Sequence, residues 1–255
     1  MSRIFITGDV HGEVMSRLSN KNFPIAKELN REDLVFITGD FGSIWNAAED
    51  QREKHILNWL NDCKFTTMII GGNHENWDRL RDLPLVEKFG VVLGEIRPNV
   101  FFVPNGTLIE YAGKRIFCMG GAMSTDQHHR TEGVSWWAGE IPTYEEMDFG
   151  TKNLERVGYK VDLILSHTMP IRNITMFCMA NGFNHERVTD PTANYLSFIA
   201  EHAKFDQWFC GHFHENQVYE DVMVLYDFII DPDEFENMDR GEYRNYGREH
   251  LNPLW

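Results

Sequence analysis

The chain reads as an α/β protein, and three observations predict it. Apolar, β-branched runs recur at 3–7, 34–38, 66–70 and 161–165. Polar, helix-compatible stretches separate the first three. The runs close on short loops that hold Asp, Asn or His. Strand–helix–strand order of this kind implies parallel pairing with right-handed crossovers. Ligands of such sheets bind beyond the carboxyl ends of the strands.

The first run enters the loop Asp9-Val10-His11, and a helix-compatible stretch then extends to about Leu29. The second ends in Gly39-Asp40. Residues 47–60 set Ile56, Leu57 and Leu60 among charged side chains, which suits an amphipathic helix. The third ends in Gly71-Gly72-Asn73. Beyond it the chain is richer in strands. Short apolar segments at 100–103, 107–111 and 115–119 are divided by Asn105-Gly106 and Ala112-Gly113-Lys114, and Asn-Gly is a strong hairpin signal. Residues 120–142 read as an irregular loop carrying Trp136 and Trp137. The run 161–165 closes on Ser166-His167, 208–210 precedes Gly211-His212, and 218–230 makes one or two closing strands. A domain over 1–230 is expected, followed by an acidic tail over 231–255 with seven acidic side chains against Arg240, Arg244 and Arg248.

At 255 residues the chain fits one large domain with a sizeable core. No apolar run is long enough to span a membrane, so no membrane partner is expected. Met1-Ser2-Arg3-Ile4 leads straight into a strand and lacks a signal peptide's apolar core. Cys63, Cys118, Cys178 and Cys210 are scattered without Cys-x-x-Cys spacing, as reduced thiols of a cytoplasmic protein are. Cys210 and His212 lack the second pair that a zinc finger needs. The net charge of −15, from 39 acidic against 24 basic residues, gives no footprint for strong non-specific nucleic-acid binding. Bound cations would offset that charge locally.

Five loops carry the chemistry: Asp9-Val10-His11, Gly39-Asp40, Gly72-Asn73-His74-Glu75, Ser166-His167 and Gly211-His212-Phe213-His214. Each is commonplace alone. A Gly-Asp after a strand is usually a turn, and His167 could equally be a satisfied core histidine. Their succession is what carries weight. Carboxylate, imidazole and amide oxygen gathered at strand ends can hold two divalent cations side by side. Such a pair, about 3.5–4 Å apart, clamps the attacking and leaving oxygens of a phosphoryl group. The chain therefore reads as a two-metal phosphoester hydrolase.

In their order these loops resemble the calcineurin-like metallophosphoesterase superfamily, whose signature runs Asp-x-His, Gly-Asp, Gly-Asn-His-(Glu/Asp), His and Gly-His-x-His. The match covers positions 9 to 214. The resemblance implies a four-layer β-sandwich of two mixed sheets flanked by helices, with a dimetal site at the strand C-terminal ends. It implies that Asp9, His11 and His214 hold one metal ion, that Asn73, His167 and His212 hold the other, and that Asp40 bridges them. A neutral Asn73 oxygen would leave the site positive toward phosphate. Imidazole ligands favour Mn, with Fe, Zn, Ni or Co as alternatives, over Mg or Ca. The resemblance further implies that His74, beside Asn73 at the substrate, protonates the leaving oxygen or stabilises phosphoryl charge. Glu75 reads as a helix-start carboxylate suited to the macrodipole.

The chain departs from the Ser/Thr protein phosphatase branch of that superfamily, whose second motif continues Gly-Asp-x-x-Asp-Arg-Gly. Ser43 and Ile44 stand where the Asp and Arg would be, and Ile cannot grip phosphate bidentately. Arg130, or a neighbouring His of the 120–130 loop, is the candidate replacement at the substrate. Trp45, Trp136 and Trp137 are candidates to stack on a base or ring, against the alternative of a solvated loop or a core tryptophan. The expected substrate is a phosphorylated small molecule or nucleotide, monoester or diester. A phosphoprotein phosphatase, a nuclease and a non-catalytic scaffold are the alternatives. The polar segment 181–187 is assigned no role.

Overall fold

The structure, a computed structural model, describes residues 2–184 and 189–236. Strand and helix alternate at first: β1 (Ile4–Thr7), the one-turn α1 (Val14–Arg17), β2 (Leu34–Thr38), α2 (Gln51–Asp62), β3 (Thr66–Ile70) and α3 (Trp77–Arg81). Five strands follow without an α-helix between them: β4 (Leu85–Lys88), β5 (Val91–Arg97), β6 (Val100–Val103), β7 (Thr107–Tyr111) and β8 (Lys114–Met119). Then come α4 (Tyr144–Arg156), β9 (Leu163–Ser166), α5 (Ile171–Asn181), α6 (Pro191–His202) and β10 (Gln207–Cys210). The short β11 (Gln217–Tyr219), β12 (Val222–Val224), β13 (Ile229–Ile230) and α7 (Pro232–Glu236) end the described chain.

Two sheets result, one ordered β13-β1-β2-β3-β6-β5-β4 and the other β11-β12-β10-β9-β8-β7. In the first, β1, β2, β3 and β6 are parallel, with β13 and β5 antiparallel beside them. The second repeats the plan, with β12, β10, β9 and β8 parallel and β11 and β7 antiparallel at the edges. The strands that lead into the five loops thus all lie in parallel cores, with their carboxyl ends at one edge of each sheet.

Period-2 alternation decides which side chains lie between the sheets. Ile4, Ile6, Leu34, Phe36, Met68 and Ile70 from the first sheet meet Ile116, Cys118, Leu163, Leu165 and Phe209 from the second. The intervening residues Phe5, Val35, Ile37 and Ile69 face outward and pack under α1, α2 and α3 through Val14, Leu57, Leu60 and Trp77. On the far side Phe117, Ile164 and Trp208 pack under α4, α5 and α6 through Leu154, Ile174 and Leu196. These are the four layers the sequence resemblance implies. No helix among the described residues is long and apolar enough to cross a membrane.

Several local expectations are corrected. The stretch to Leu29 holds only α1 and a 3-10 turn at Pro24–Lys27. Pro24 lacks an N–H, and Asn22 Nδ2 donates to the Ser16 carbonyl, which ends the helical ladder. Helix α2 starts at Gln51, later than expected, because the Asp50 carboxylate caps it by accepting from the Glu53 N–H at 2.8 Å. Asn105-Gly106 is not a hairpin turn. It carries the chain from β6 in one sheet to β7 in the other, and Asn105 Oδ1 accepts from the Gly120 N–H at 2.7 Å. The hairpin lies instead at Ala112-Gly113, both with positive φ, joining β7 and β8. Residues 218–230 contribute to three short strands, split because the chain crosses back from the second sheet to the first. The β4–β5 hairpin and helices α4 to α6 were not anticipated. Helix α4 nevertheless opens on a capping box, Thr143 with Glu146. In the expected tail, Phe235 packs on Phe209 at 5.2 Å between ring centroids. Arg240, Arg244 and Arg248 lie outside the described residues, as do residues 185–187 of the polar segment.

Because Leu165 is fully buried between the sheets, Leu165→Ala should cost about 2–5 kcal/mol in urea unfolding. Leu85→Ala, on a side chain 67% exposed, should stay within about 0.5 kcal/mol of wild type. Equal effects would mean that the two sheets do not share a tight interior.

Candidate functional site

The site lies where the carboxyl ends of both sheets meet. Loops after β1, β2 and β3 bring Asp9 and His11, Asp40, and Asn73 and His74; loops after β9 and β10 bring His167, and His212 and His214. Two hydrogen bonds join the sheets here. His167 Nδ1–H donates to the Thr38 carbonyl at 2.9 Å, and the Gly121 N–H donates to the Gly71 carbonyl at 2.8 Å.

All seven expected ligands converge. The ligating atoms of Asp9, His11 and His214 lie within 4.8 Å of one another, and so do those of Asp40, His167 and His212. Asn73 Oδ1 joins the second group at 2.9 Å from His167 Nε2. Asp40 faces both groups, with Oδ1 3.4 Å from His167 Nε2 and Oδ2 3.8 Å from His11 Nε2. The His74 N–H donates to Asp40 Oδ1 at 2.9 Å and fixes that carboxylate's rotation.

Local backbone geometry is bent to this purpose. His11, Asp40, His212 and His214 have φ of 42°, 47°, 69° and 51°, in the left-handed region that non-glycine residues avoid. Each such residue costs on the order of 1 kcal/mol and persists only where its surroundings over-determine it. The motif glycines answer a second need. A Cβ on Gly72 would overlap Asp40 Oδ1, and one on Gly211 would overlap Asp9 Oδ1.

The donor set fits divalent cations on three counts. Both Asp9 carboxylate oxygens are buried with no hydrogen-bond partner among the described residues. His167 gives its one N–H to Thr38, so its Nε2 lone pair faces the Asn73 carbonyl oxygen, and two acceptors in contact need a cation between them. Finally, Asp9, Asp40 and Glu75 are all buried close together. Burial pushes Glu75 up to about 7 against its backbone hydrogen bonds, and burial reinforced by neighbouring carboxylates pushes Asp9 up to about 7 and Asp40 well above its usual range. Burial also holds the histidines neutral, with His11 and His74 lowered to about 4, His212 to about 3, and His167 and His214 lowered too.

Glu75 is not the helix-start carboxylate expected. Asn76 caps α3, accepting from the Arg79 N–H, while Glu75 points inward. Its two oxygens accept from the N–H groups of Gly42, at 3.0 Å, and of Gly72, tying the second motif loop to the third. Arg130 stands beside His74, with Nη1 3.4 Å from its Nδ1, and pairs with Asp126 at 2.8 Å. Trp45 stacks on the His74 ring at 5.8 Å and 22°. Trp137 is buried edge-on against Trp45, whereas Trp136 is half-buried. Sequence reasoning missed Ser124 and Glu140, both buried, whose hydrogen bonds reach Asn73. Ser124 fell inside the 120–130 loop named for Arg130 at the substrate, but nothing in the sequence singled out Glu140.

Paired carboxylate, imidazole and amide ligands at the seam of two mixed sheets define a metallophosphoesterase-type site. The family model for calcineurin-like phosphoesterase matches residues 2–216, and the chain belongs to that family. The resemblance read from the five motif loops is borne out by the same match. The chain is 23% identical over 234 residues to the lariat debranching enzyme of Homo sapiens, covering 83% of this chain and 42% of that protein. It is 26% identical over 183 residues to the lariat debranching enzyme of Schizosaccharomyces pombe, covering 66% and 37%. The Drosophila pseudoobscura lariat debranching enzyme is 28% identical over 194 residues, with 66% and 33% covered. The chain thus spans about two fifths or less of the length of these curated relatives. The solved structure of TT1561 from Thermus thermophilus superposes with a TM-score of 0.50 at 14% identity, covering 89% of each chain, which shows the same fold.

The shifted groups set the pH response of metal-stripped protein. The histidines are neutral in the fold but titrate near 6.5 when unfolded, so their contribution is lost as pH falls below that value and is constant above it. The carboxyls keep protons in the fold that the unfolded chain releases near 3.8 to 4.5. Their contribution is full below that range and is lost as pH rises through about 7. Protein held in chelator should therefore lose thermal stability between about pH 6.5 and pH 8.5. Added manganese should restore it, and restore more at the higher pH. A melting temperature that climbs through that interval in chelator would contradict the burial of these carboxyls.

Proposed function

We propose that this chain is a two-metal phosphoester hydrolase acting on a small phosphodiester or nucleotide. The observation that carries the reading is the reach of Asp40, one buried carboxylate facing both ligand groups. When bound, two divalent cations lower the pKa of water enough to supply a nucleophile near neutral pH and neutralise phosphoryl charge. Asp9, His11 and His214 would hold one ion, Asn73, His167 and His212 the other, and Asp40 both. The imidazole-rich set favours manganese, with Fe, Zn, Ni or Co as alternatives.

His74 and Arg130 act on the substrate side. Burial and the Arg130 cation keep the His74 ring neutral. A phosphate arriving between them works in the opposite sense and favours imidazolium. Proton delivery from His74 to the leaving oxygen is thereby tied to substrate binding. The Arg130 guanidinium exchanges Asp126 for phosphate oxygens, which its planar fork matches bidentately. Asn73 lies beside the same phosphate, and Trp45, next to His74, offers a face to a base or ring.

The named relatives support phosphodiester hydrolysis, while the net charge of −15 favours a small diester over a long nucleic acid. The protein phosphatase reading is the weaker, because Ile44, at the position of that branch's arginine, is buried in the core. Four free cysteines, three of them buried, support a reducing, cytoplasmic setting.

Manganese-loaded protein should hydrolyse a bis-aryl phosphate faster than an aryl monophosphate, and no turnover of either would overturn the reading. Asp40→Asn should lose both metal and activity. His74→Ala should keep two ions per chain by elemental analysis while turnover falls about 10²–10⁴-fold; loss of metal in that variant would make His74 structural. Arg130→Met should raise KM for the diester by about tenfold, the loss of one charge-assisted contact. An unchanged KM would remove Arg130 from the substrate side.

A further inference from the structure

Asn73 can serve a cation only through its carbonyl oxygen, yet an amide can turn over and present its NH2 instead. What decides the matter is a buried relay reaching the site from outside the motif loops. Asn73 Nδ2 donates to Ser124 Oγ at 3.0 Å. Ser124 Oγ–H donates in turn to Glu140 Oε2 at 2.7 Å, and the Ser124 N–H donates to Glu140 Oε1, also at 2.7 Å. Glu140, Ser124 and Asn73 are 1%, 2% and 4% exposed, so water does not compete.

The polarity of this relay is fixed from its far end. Both Glu140 oxygens accept from Ser124, one from its N–H and the other from its hydroxyl, and these bonds oppose the upward push of burial on the carboxyl, so Glu140 claims the hydroxyl proton of Ser124. The serine oxygen is then left as an acceptor, and an acceptor selects the NH2 of Asn73 and rejects its carbonyl. The carbonyl must therefore face His167 Nε2, 2.9 Å away, in the second ligand group. The relay is anchored at both ends. The Gly139 carbonyl before Glu140 accepts from Arg81 Nη2 at 3.2 Å, and the Arg81 guanidinium lies 5.1 Å over the Trp77 ring. The Met123 N–H beside Ser124 donates to Asp190 Oδ2 at 3.2 Å.

We propose that Glu140, acting through Ser124, is a positioning residue that locks the Asn73 amide with its oxygen toward the second metal position. The proposal rests on the two-metal reading for its consequence, though the amide's orientation belongs to the chain alone. In Glu140→Gln the new NH2 can donate to Ser124 Oγ, which frees the hydroxyl proton to turn toward Asn73 and removes the preference.

The test uses Glu140→Gln and Ser124→Ala on the full chain with two readouts. The first is the Asn73 Nδ2 proton pair in metal-free protein by NMR, identified by its disappearance in Asn73→Ala. Both variants should exchange these protons with solvent about tenfold faster, as expected for loss of one buried hydrogen bond. The second is manganese titration by calorimetry. The ion bound by the Asn73 group should weaken about 10–100-fold, while the ion held by Asp9, His11 and His214 keeps its affinity and reports an intact fold. In an Asn73→Ala background, Glu140→Gln should produce no further loss. Unchanged Asn73 protons, equal weakening of both ions, or additive losses would each overturn the proposal. If wild-type protein takes up no second ion, the two-metal reading fails instead, and the proton readout alone decides the relay.

Discussion

The seam between the two sheets, crossed by the buried hydrogen bond from His167 Nδ1 to the Thr38 carbonyl and by that from the Gly121 N–H to the Gly71 carbonyl, holds together the two halves on which this site depends. The first sheet presents carboxylates, an amide and one histidine of the ligand set, while the second presents the other three histidines. Neither half is a metal site alone. The His167–Thr38 bond spans the seam and also sets the histidine tautomer, leaving the Nε2 lone pair aimed at the opposite sheet's loops. The packing of Ile6, Phe36 and Ile70 against Cys118, Leu165 and Phe209 below it is therefore part of the site. A small slide of one sheet past the other would separate the two ligand sets before it exposed any core.

The same seam explains the electrostatics. A chain of net charge −15 gathers three buried carboxyls at one point and opposes them with neutral imidazoles. Such an arrangement is unfavourable by itself, as the upward displacement of Asp9, Asp40 and Glu75 reflects. Divalent cations held as proposed would convert the same groups from a liability into a set of satisfied ligands. On that proposal, stability and metal affinity would be two aspects of one equilibrium in this domain.

The strands β1, β2 and β3 were legible because they are short, fully buried and followed by glycine. Leu34–Thr38 and Thr66–Ile70 match the expectation residue for residue. The candidate ligands were legible because each sits one to four residues beyond a parallel strand. The Asn105-Gly106 turn misled for a physical reason: its dihedral preference suits a reversal, but whether the next strand joins the same sheet depends on which face is already covered. Helices α4 to α6 were passed over although the Thr143–Glu146 capping box announces the first of them. Glu140 was beyond reach, since a lone carboxylate in an irregular segment carries no periodicity, and its partners are set by the tertiary fold. Glu75 was visible but misread, because its inward rotamer is imposed by the otherwise unpaired N–H groups of Gly42 and Gly72.

The left-handed backbone at His11, Asp40, His212 and His214 has an evolutionary consequence. Glycine or asparagine would relax each of these positions. Descendants released from selection for chemistry can thus drift toward sturdier proteins by discarding these very side chains. An inert relative carrying Gly or Asn at those places would be the fingerprint of that drift.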